Sequence, residues 1–485
     1  MNSRTSRRAL LRGALGLAGT FGIAPLLAAC QQAGPAAKPA DSKPAETKPV
    51  ETKPAAPAAQ PAATAAPAQA APAKTSGGGE LRLHVRTGPE EDTLKDVLPQ
   101  FTQQTGIQVK VESFPTTEYF TKLQTLIAGG TVGDVMWGIF RNTPRFANSK
   151  VIRPLDDLIK ADNFDLSQYY KSAIDSVSYQ GAIYAMPFKL HPGPAALYYN
   201  VAHARDAGVT MPEKQPASWD ELIKIASQLG KESGGRTERF GMSLGLTPDN
   251  STSTLQTLMM YVRSWGGEIY SEDGKKALLQ EQPVKDSVRY MADLMFKHKV
   301  ASTLKEATQQ IEDLMITERV ALLQASSSTK SIPTKIAGKF EVRNLLMPPG
   351  PGGKVGTQTI TDHINMSAKT QNPQGSWELI KLLCGKDVGV RLGGGTGGIA
   401  SGTCGARIDA FTDPALMSQS LHPIFVELVQ NAQPLRYPAN LREEEIATAV
   451  HQTLAPIFLG ERQPDDAFFT ELNTAVQGVL DRPIA

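Results

Sequence analysis

The sequence predicts an α/β body of alternating strands and helices, carried behind an export signal and a long tether. Three observations point there. Residues 25–40, PLLAACQQAGPAAKPA, place a lone cysteine at the end of an apolar run. The stretch that follows is rich in proline and alanine. From Glu80 onward, apolar residues recur alternately at strand and helix spacing.

The opening comes first in the chain. SRRALLR at residues 6–12 and a mildly apolar run over residues 13–29 form the charged and apolar regions of a secretory signal. That run is too short and too rich in Gly, Ala and Thr to cross a membrane, which takes about 20 strongly apolar residues. Arg7 and Arg8 resemble the twin-arginine export address. LAAC at residues 27–30 resembles the bacterial lipobox, which makes Cys30 the expected lipidation site; a soluble secreted protein is the alternative. Acyl chains contribute about 0.8 kcal/mol per buried methylene, so acylation of Cys30 would hold the protein at a membrane.

Residues 31–79 contain no aromatic residue, Leu or Ile, and cannot bury enough apolar surface to offset the entropy of ordering. Residues 1–29 are therefore read as the signal and 30–79 as a disordered tether. Extended at about 3 Å per residue, the tether reaches on the order of 100 Å.

The body, from Glu80 to Ala485, is long enough for two or three domains. The whole chain carries +2, and signal and tether are both net basic, so the body is slightly acidic with mixed signs. Such a surface gives no sign of a nucleic-acid partner. Leu81, Leu83 and Val85 alternate as a strand; Leu94, Val97, Leu98 and Phe101 follow at helical spacing, with Pro99 expected to break or kink the helix. Ile107, Val109 and Val111 mark a second strand. Phe120, Leu123, Leu126 and Ile127 mark a helix that ends on Gly129 and Gly130, and DVMWGIF is a third strand. Alternation of this kind predicts a mostly parallel sheet, with ligands at the carboxyl ends of its strands. Farther on, PASWDEL is a capping box at Ser218 and Glu221, so Trp219 is assigned to the core, and Ser376 is expected to cap before Trp377 in the same way.

Taken together, FTQQTGIQVKVES, YFTKLQTLIAGGTVGDVMWG, VIRPLDDLI and GAIYAMPF resemble the N-terminal lobe of the extracellular solute-binding proteins of ABC sugar importers, the broad family that includes the maltose-binding proteins. LYYNVAHARDAGVTMPEKQPASWDELIKIASQL resembles the entry into that family's second lobe, and later segments keep the family's order. The resemblance implies a two-lobed periplasmic-binding-protein fold (type II), each lobe a sheet flanked by helices, with the ligand cleft at the hinge. It implies lobe I over 80–195 and 364–415, and lobe II over 196–363 and 416–485. It also implies a lipid-anchored monomer outside the cytoplasmic membrane, without cofactor, that closes on a small solute, foremost a carbohydrate, and hands it to ABC permease subunits. A non-transport sensor or adhesin is the alternative.

Carried over by position, the candidate binding residues are Thr87, Gly88, Trp137, Phe140, Arg141, Phe188 and His191 from the first lobe. From the second come Asn250, Trp265, Ser326 and Ser327, with Asp362 and His363 near the return crossing. Trp265, beside a glycine pair, is favoured as a ring that stacks on sugar. Trp137 reads equally as core, His191 equally as a turn residue, and Arg141 rather as a solvated surface charge. Two departures from the family stand out: Gly133 replaces the usual proline, and Thr317-Glu318 stands where Lys-Gly is common.

An enzyme is the competing class. GMSLG at residues 241–245 matches G-x-S-x-G, but that motif needs a strand, a strained turn and an immediate helix, whereas this stretch reads as a strand running into a loop. GGGTGG at residues 393–398 follows a helix rather than a strand, which is the wrong context for dinucleotides. No metal-ligand spacing appears. Cys384 and Cys404 are left open between a disulfide and two buried thiols.

Overall fold

A computed structural model describes residues 79–394, 403–433 and 436–485. The signal, Cys30, the tether and most of GGGTGG lie outside these residues. The body is built on two sheets. Its strands are β1 (Glu80–Arg86), β2 (Gln108–Phe114), β3 (Val135–Ile139), β4 (Ser178–Tyr179), β5 (Ala182–Ile183), β6 (Ala185–Pro192), β7 (Ala196–Asn200), β8 (Lys231–Ser233), β9 (Arg236–Ser243), β10 (Val320–Ala325), β11 (Val342–Leu346), β12 (Thr359–Met366) and β13 (Cys404–Gly405). The first sheet has the order β13-β6-β12-β3-β1-β2 and the second β11-β7-β10-β9-β8, while β4 and β5 form a separate hairpin.

Strands β1, β2 and β3 are mutually parallel where they pair, as are β9 and β10; β12 and β7 run antiparallel to their neighbours. The sheets are thus mixed rather than mostly parallel, and the cause is the crossing. β6 leaves the first sheet and, with only three residues between, β7 begins in the second, so the chain enters without a helical return to reset its direction. β12 then re-enters the first sheet at Thr359, ahead of the expected crossing at 364, which puts Asp362 and His363 on the first sheet.

The crossing segments are bonded to one another. Gly193 N–H donates to Gln358 O (2.7 Å), Gln433 N–H to Thr357 O (3.1 Å) and Met347 N–H to Ala195 O (2.9 Å).

Local sequence explains several helix ends. Helix Pro89–Thr105 closes on Gly106 at φ 75° and runs unbroken through Pro99. Helix Trp219–Leu229 is capped by Ser218 Oγ, which accepts from Glu221 N–H (3.1 Å), while Glu221 reaches back to Ala217 N–H (2.5 Å). Helix Pro373–Leu383 is capped by Asn372 instead of Ser376, which lies one turn inside and bonds Thr370 (3.1 Å).

Both family departures have structural counterparts. Gly133 N–H donates to the buried His84 Nε2 at 2.7 Å, and a Cβ there would lie 2.7 Å from Arg82 O, so a proline would lose the bond and collide. Glu318 sits at φ 60°, a left-handed backbone that glycine adopts most cheaply, and its carboxylate pairs with Lys339 (2.6 Å) and faces His203 (3.4 Å).

Candidate functional site

Strands β9 and β10 run parallel and end side by side, at Ser243 and Ala325. Loops leaving such carboxyl ends are where an α/β sheet offers polar groups to a ligand. Here they enclose a cavity of about 450 Å³. Its wall includes Gly245, Thr247, Asn250, Thr252, Ser253 and Gln256 from the loop after β9 and the helix Ser251–Ser264. Gln324, Ser326, Ser328 and Thr329 come from β10 and the turn after it, and Gln309, Gln310 and Glu312 from a third loop. Pro194 enters from the crossing, and Arg141 reaches in from the loop after β3 of the first sheet.

Local bonding fixes these groups. Asn250 caps its helix, its Oδ1 accepting from Ser253 N–H (2.9 Å), and Ser253 Oγ donates to Gly245 O (3.1 Å). Gly245 is at φ 66°, and a Cβ there would lie 2.4 Å from Gln324 O, so only glycine fits. Gln324, fully buried, accepts from Tyr261 OH (2.8 Å) and donates to Pro194 O (2.9 Å), which ties the floor of the cavity to the crossing. Ser326 and Ser328 share a hydroxyl contact at 2.7 Å. Thr247 is 2% exposed, and its hydroxyl has no partner among the described residues. A buried hydroxyl without a bond costs about 1–3 kcal/mol, which a ligand hydroxyl would recover.

Among the described residues, two charged side chains line the wall. Arg141 Nε donates to Glu444 Oε1 at 3.1 Å, and Glu312 is ion-paired with Lys335. Behind Arg141 lies a smaller cavity of about 270 Å³ that Arg141 shares with the first turn of helix Glu443–Phe458. There Glu443 Oε2 is enclosed without a partner among the described residues, although the residue's stem is partly exposed. Burial pushes this carboxyl up to about 7; Arg141 opposes the shift and Glu444 adds to it.

Of the residues proposed from sequence, Arg141, Asn250 and Ser326 line the larger cavity. Trp137, Phe140, Phe188 and His363 are buried in the core, none more than 2% exposed. Trp137 packs against Tyr119 and Phe120, with the Arg86 guanidinium 3.9 Å over its ring. Trp265 does not reach the cavity. It ends the helix whose other end carries Asn250, about 20 Å away at 1.5 Å per residue, and packs on Trp219 (4.9 Å), Tyr290 (5.3 Å) and Tyr261 (6.2 Å). Ser327 faces inward with its hydroxyl buried, Thr87 is exposed beside β1, and Gly88, at φ 116°, precedes helix Pro89–Thr105.

Asp362 and His191 belong to a charge network on the first sheet. Asp362 meets Lys189 at 3.0 Å, Arg86 at 3.3 Å and His191 at 3.7 Å, while Glu90 pairs with both Arg86 and Lys189. Burial alone would raise Asp362, but Lys189, His191 and Arg86 outweigh it and hold the carboxyl well below the usual range. Cys384 and Cys404 are free, buried thiols. After Ser243 the chain continues as a loop to Asn250 before the next helix, so G-x-S-x-G makes no nucleophile elbow.

Thr247, Gln256, Gln309, Gln310, Glu312 and Gln324 were not singled out from sequence. Gln324 left a trace as a polar residue inside the apolar strand VALLQA; the others lie in ordinary polar loops.

Comparison with known proteins fits this geometry. The family of bacterial extracellular solute-binding proteins matches residues 97–409. The chain belongs to that family. As a solute-binding protein it acts outside the cytoplasm and holds its solute rather than transforming it. It is 24% identical over 396 residues to a putative binding protein of Brucella abortus, covering 81% of this chain and 91% of the relative. It is 25% identical over 343 residues to the erythritol/L-threitol-binding protein of Mycolicibacterium smegmatis, covering 65% and 68%. Among solved structures, the ABC substrate-binding protein of Listeria monocytogenes in complex with cycloalternan superposes with a TM-score of 0.70 at 18% identity, covering 83% of this chain and 99% of that one. This solute-binding protein therefore shares the periplasmic-binding-protein fold, two sheets with flanking helices.

Proposed function

We propose that this solute-binding protein captures a sugar or sugar alcohol in the cavity at the ends of β9 and β10 and delivers it to the permease of an ABC importer. The observation that carries the reading is the wall itself: hydroxyl and amide side chains that both donate and accept, around a buried Thr247 hydroxyl with no partner among the described residues. Polyhydroxylated solutes offer the complementary groups. The erythritol/L-threitol-binding and cycloalternan-bound relatives support the same class.

In this reading, two lobes built on the two sheets close about residues 193–195 and the Thr357 and Gln358 crossing. Arg141 then meets the solute from the first lobe, and ligand bound to both lobes shifts the population to the closed form. Acylated Cys30 and the tether hold the body at the membrane, after export by the twin-arginine route.

A thermal-shift screen of the mature body against sugars, polyols, peptides and polyamines, followed by calorimetry, tests the binding claim. A true ligand raises the melting temperature by mass action. Stabilisation by peptides or polyamines alone would reject it. The anchor has its own test: Cys30→Ala should release the protein from the detergent phase in which the acylated form partitions.

A further inference from the structure

Both charged residues on the wall of the larger cavity are already engaged from outside it. Arg141 donates to Glu444, in the first turn of helix Glu443–Phe458, and Glu312 pairs with Lys335, at the end of the short helix Ile332–Lys335. Neither Glu444 nor Lys335 lines that cavity. The Arg141 and Glu312 side chains are largely withdrawn from water, at 17% and 9% exposure, whereas their partners are about half exposed. An unpaired charge in so enclosed a place is costly and is strongly felt by anything beside it. With each charge offset, the remaining wall is made of dipoles: the amides of Asn250, Gln256 and Gln324 and the hydroxyls of Thr247, Ser326 and Ser328.

A charged solute entering such a site loses its hydration and finds no free counter-charge. It must either break an existing ion pair or remain uncompensated. A neutral polyol pays neither cost, because its hydroxyls exchange water for amide and hydroxyl partners.

We propose that Glu444 and Lys335 are positioning residues that set the charge selectivity of the cavity: by holding Arg141 and Glu312 from behind, they restrict it to neutral polyhydroxylated ligands. This rests on reading the cavity as the solute site. Glu444→Gln leaves the Arg141 guanidinium free to meet a ligand carboxylate, and Lys335→Met leaves Glu312 free to meet a ligand ammonium. The other carboxylates beside Arg141 do not replace Glu444 at mildly acidic pH. Glu443 is then protonated, and Glu445 is taken up by Arg442 and by Arg482.

The experiment uses the mature body at pH 6 and two matched series: D-glucitol, D-gluconate and 1-amino-1-deoxy-D-glucitol; and D-glucose, D-glucuronate and D-glucosamine. Affinities come from calorimetry, and circular dichroism checks each variant's fold. In the wild type, the neutral member of a binding series should bind at least about tenfold more tightly than its charged partners. Glu444→Gln should narrow the gap between neutral and carboxylate members by about tenfold, with less than about threefold change for the neutral one. Lys335→Met should do the same for the amine, and Glu444→Asp should restore discrimination against the carboxylate. Wild-type binding of a charged member as tightly as the neutral one would overturn the inference. So would a neutral-to-carboxylate ratio that Glu444→Gln leaves unchanged. Binding by no member of either series would overturn the sugar reading of the cavity, and this inference with it.

Discussion

Replacing Glu443 with glutamine should stabilise the protein, and the gain should depend on pH. The carboxyl lies in the smaller cavity with one oxygen unpartnered, facing Arg141 and Glu444, with the Tyr270 and Tyr437 hydroxyls close enough to feel its charge. Burial raises it from 4.5 to about 7. Between these values the folded chain keeps a proton that the unfolded chain has released, so stability falls as pH rises through this window and levels off above about 7. The gap corresponds to about 3 kcal/mol at pH 8 and only about 1 kcal/mol at pH 5. Glutamine carries no charge and makes no such demand. Urea unfolding of the wild type and Glu443→Gln at pH 5 and pH 8 should therefore give a stability difference that grows by about 2 kcal/mol at the higher pH. The same difference at both pH values would show that the carboxyl is not held in a raised state, and the reasoning would fail.

Lys330 offers the opposite sign. It is 9% exposed, bonded to Gly393 O (3.3 Å) and His422 Nδ1 (3.4 Å), and makes no ion pair among the described residues; burial lowers it to about 8. Its penalty is full below pH 8 and fades as pH rises toward 10.5, so Lys330→Met should gain about 1–3 kcal/mol at pH 7 in urea unfolding and lose that advantage near pH 10. Gly245→Ala forces a Cβ to 2.4 Å from Gln324 O at φ 66° and should cost more than about 2 kcal/mol in the same assay, while weakening ligand binding. Thr247→Val should lower ligand affinity by about 1–2 kcal/mol in calorimetry while raising the ligand-free melting temperature, because the unpartnered hydroxyl and its cost are removed together. Trp265→Ala should instead cost about 3 kcal/mol or more of stability while leaving affinity unchanged.

The fold was legible because strand and helix periods, glycine ends and the Ser218 capping box are local signals, and each recurs at its place in the structure. Pro99 misled: its ring sits in a helix that continues past it, held by the burial of Leu94, Leu98 and Phe101. The site was harder to read. Carried over by position, Arg141, Asn250 and Ser326 line the cavity, but the same carry-over also selected Trp137 and Phe188, and nothing in a one-dimensional pattern says which face of a strand looks into the core. Trp265 shows the limit most clearly. Its glycine neighbours suggested open space around the ring, yet Trp219 and Tyr290, dozens of residues away in sequence on either side, fill that space. Gln324, Gln309 and Glu312 converge only through the fold.

The helix Ser251–Ser264 has a mechanical consequence. Its start presents Asn250 and Ser253 to the cavity, and its end is clamped among aromatic rings, so it forms a strut with a fixed footing. A solute held in the cavity as proposed would press on an anvil braced by those rings. Under the closure proposed above, the travel needed to grip it would fall to the opposing side, where Arg141 projects from the end of β3, with the second sheet as the landing place and the first sheet as the moving jaw.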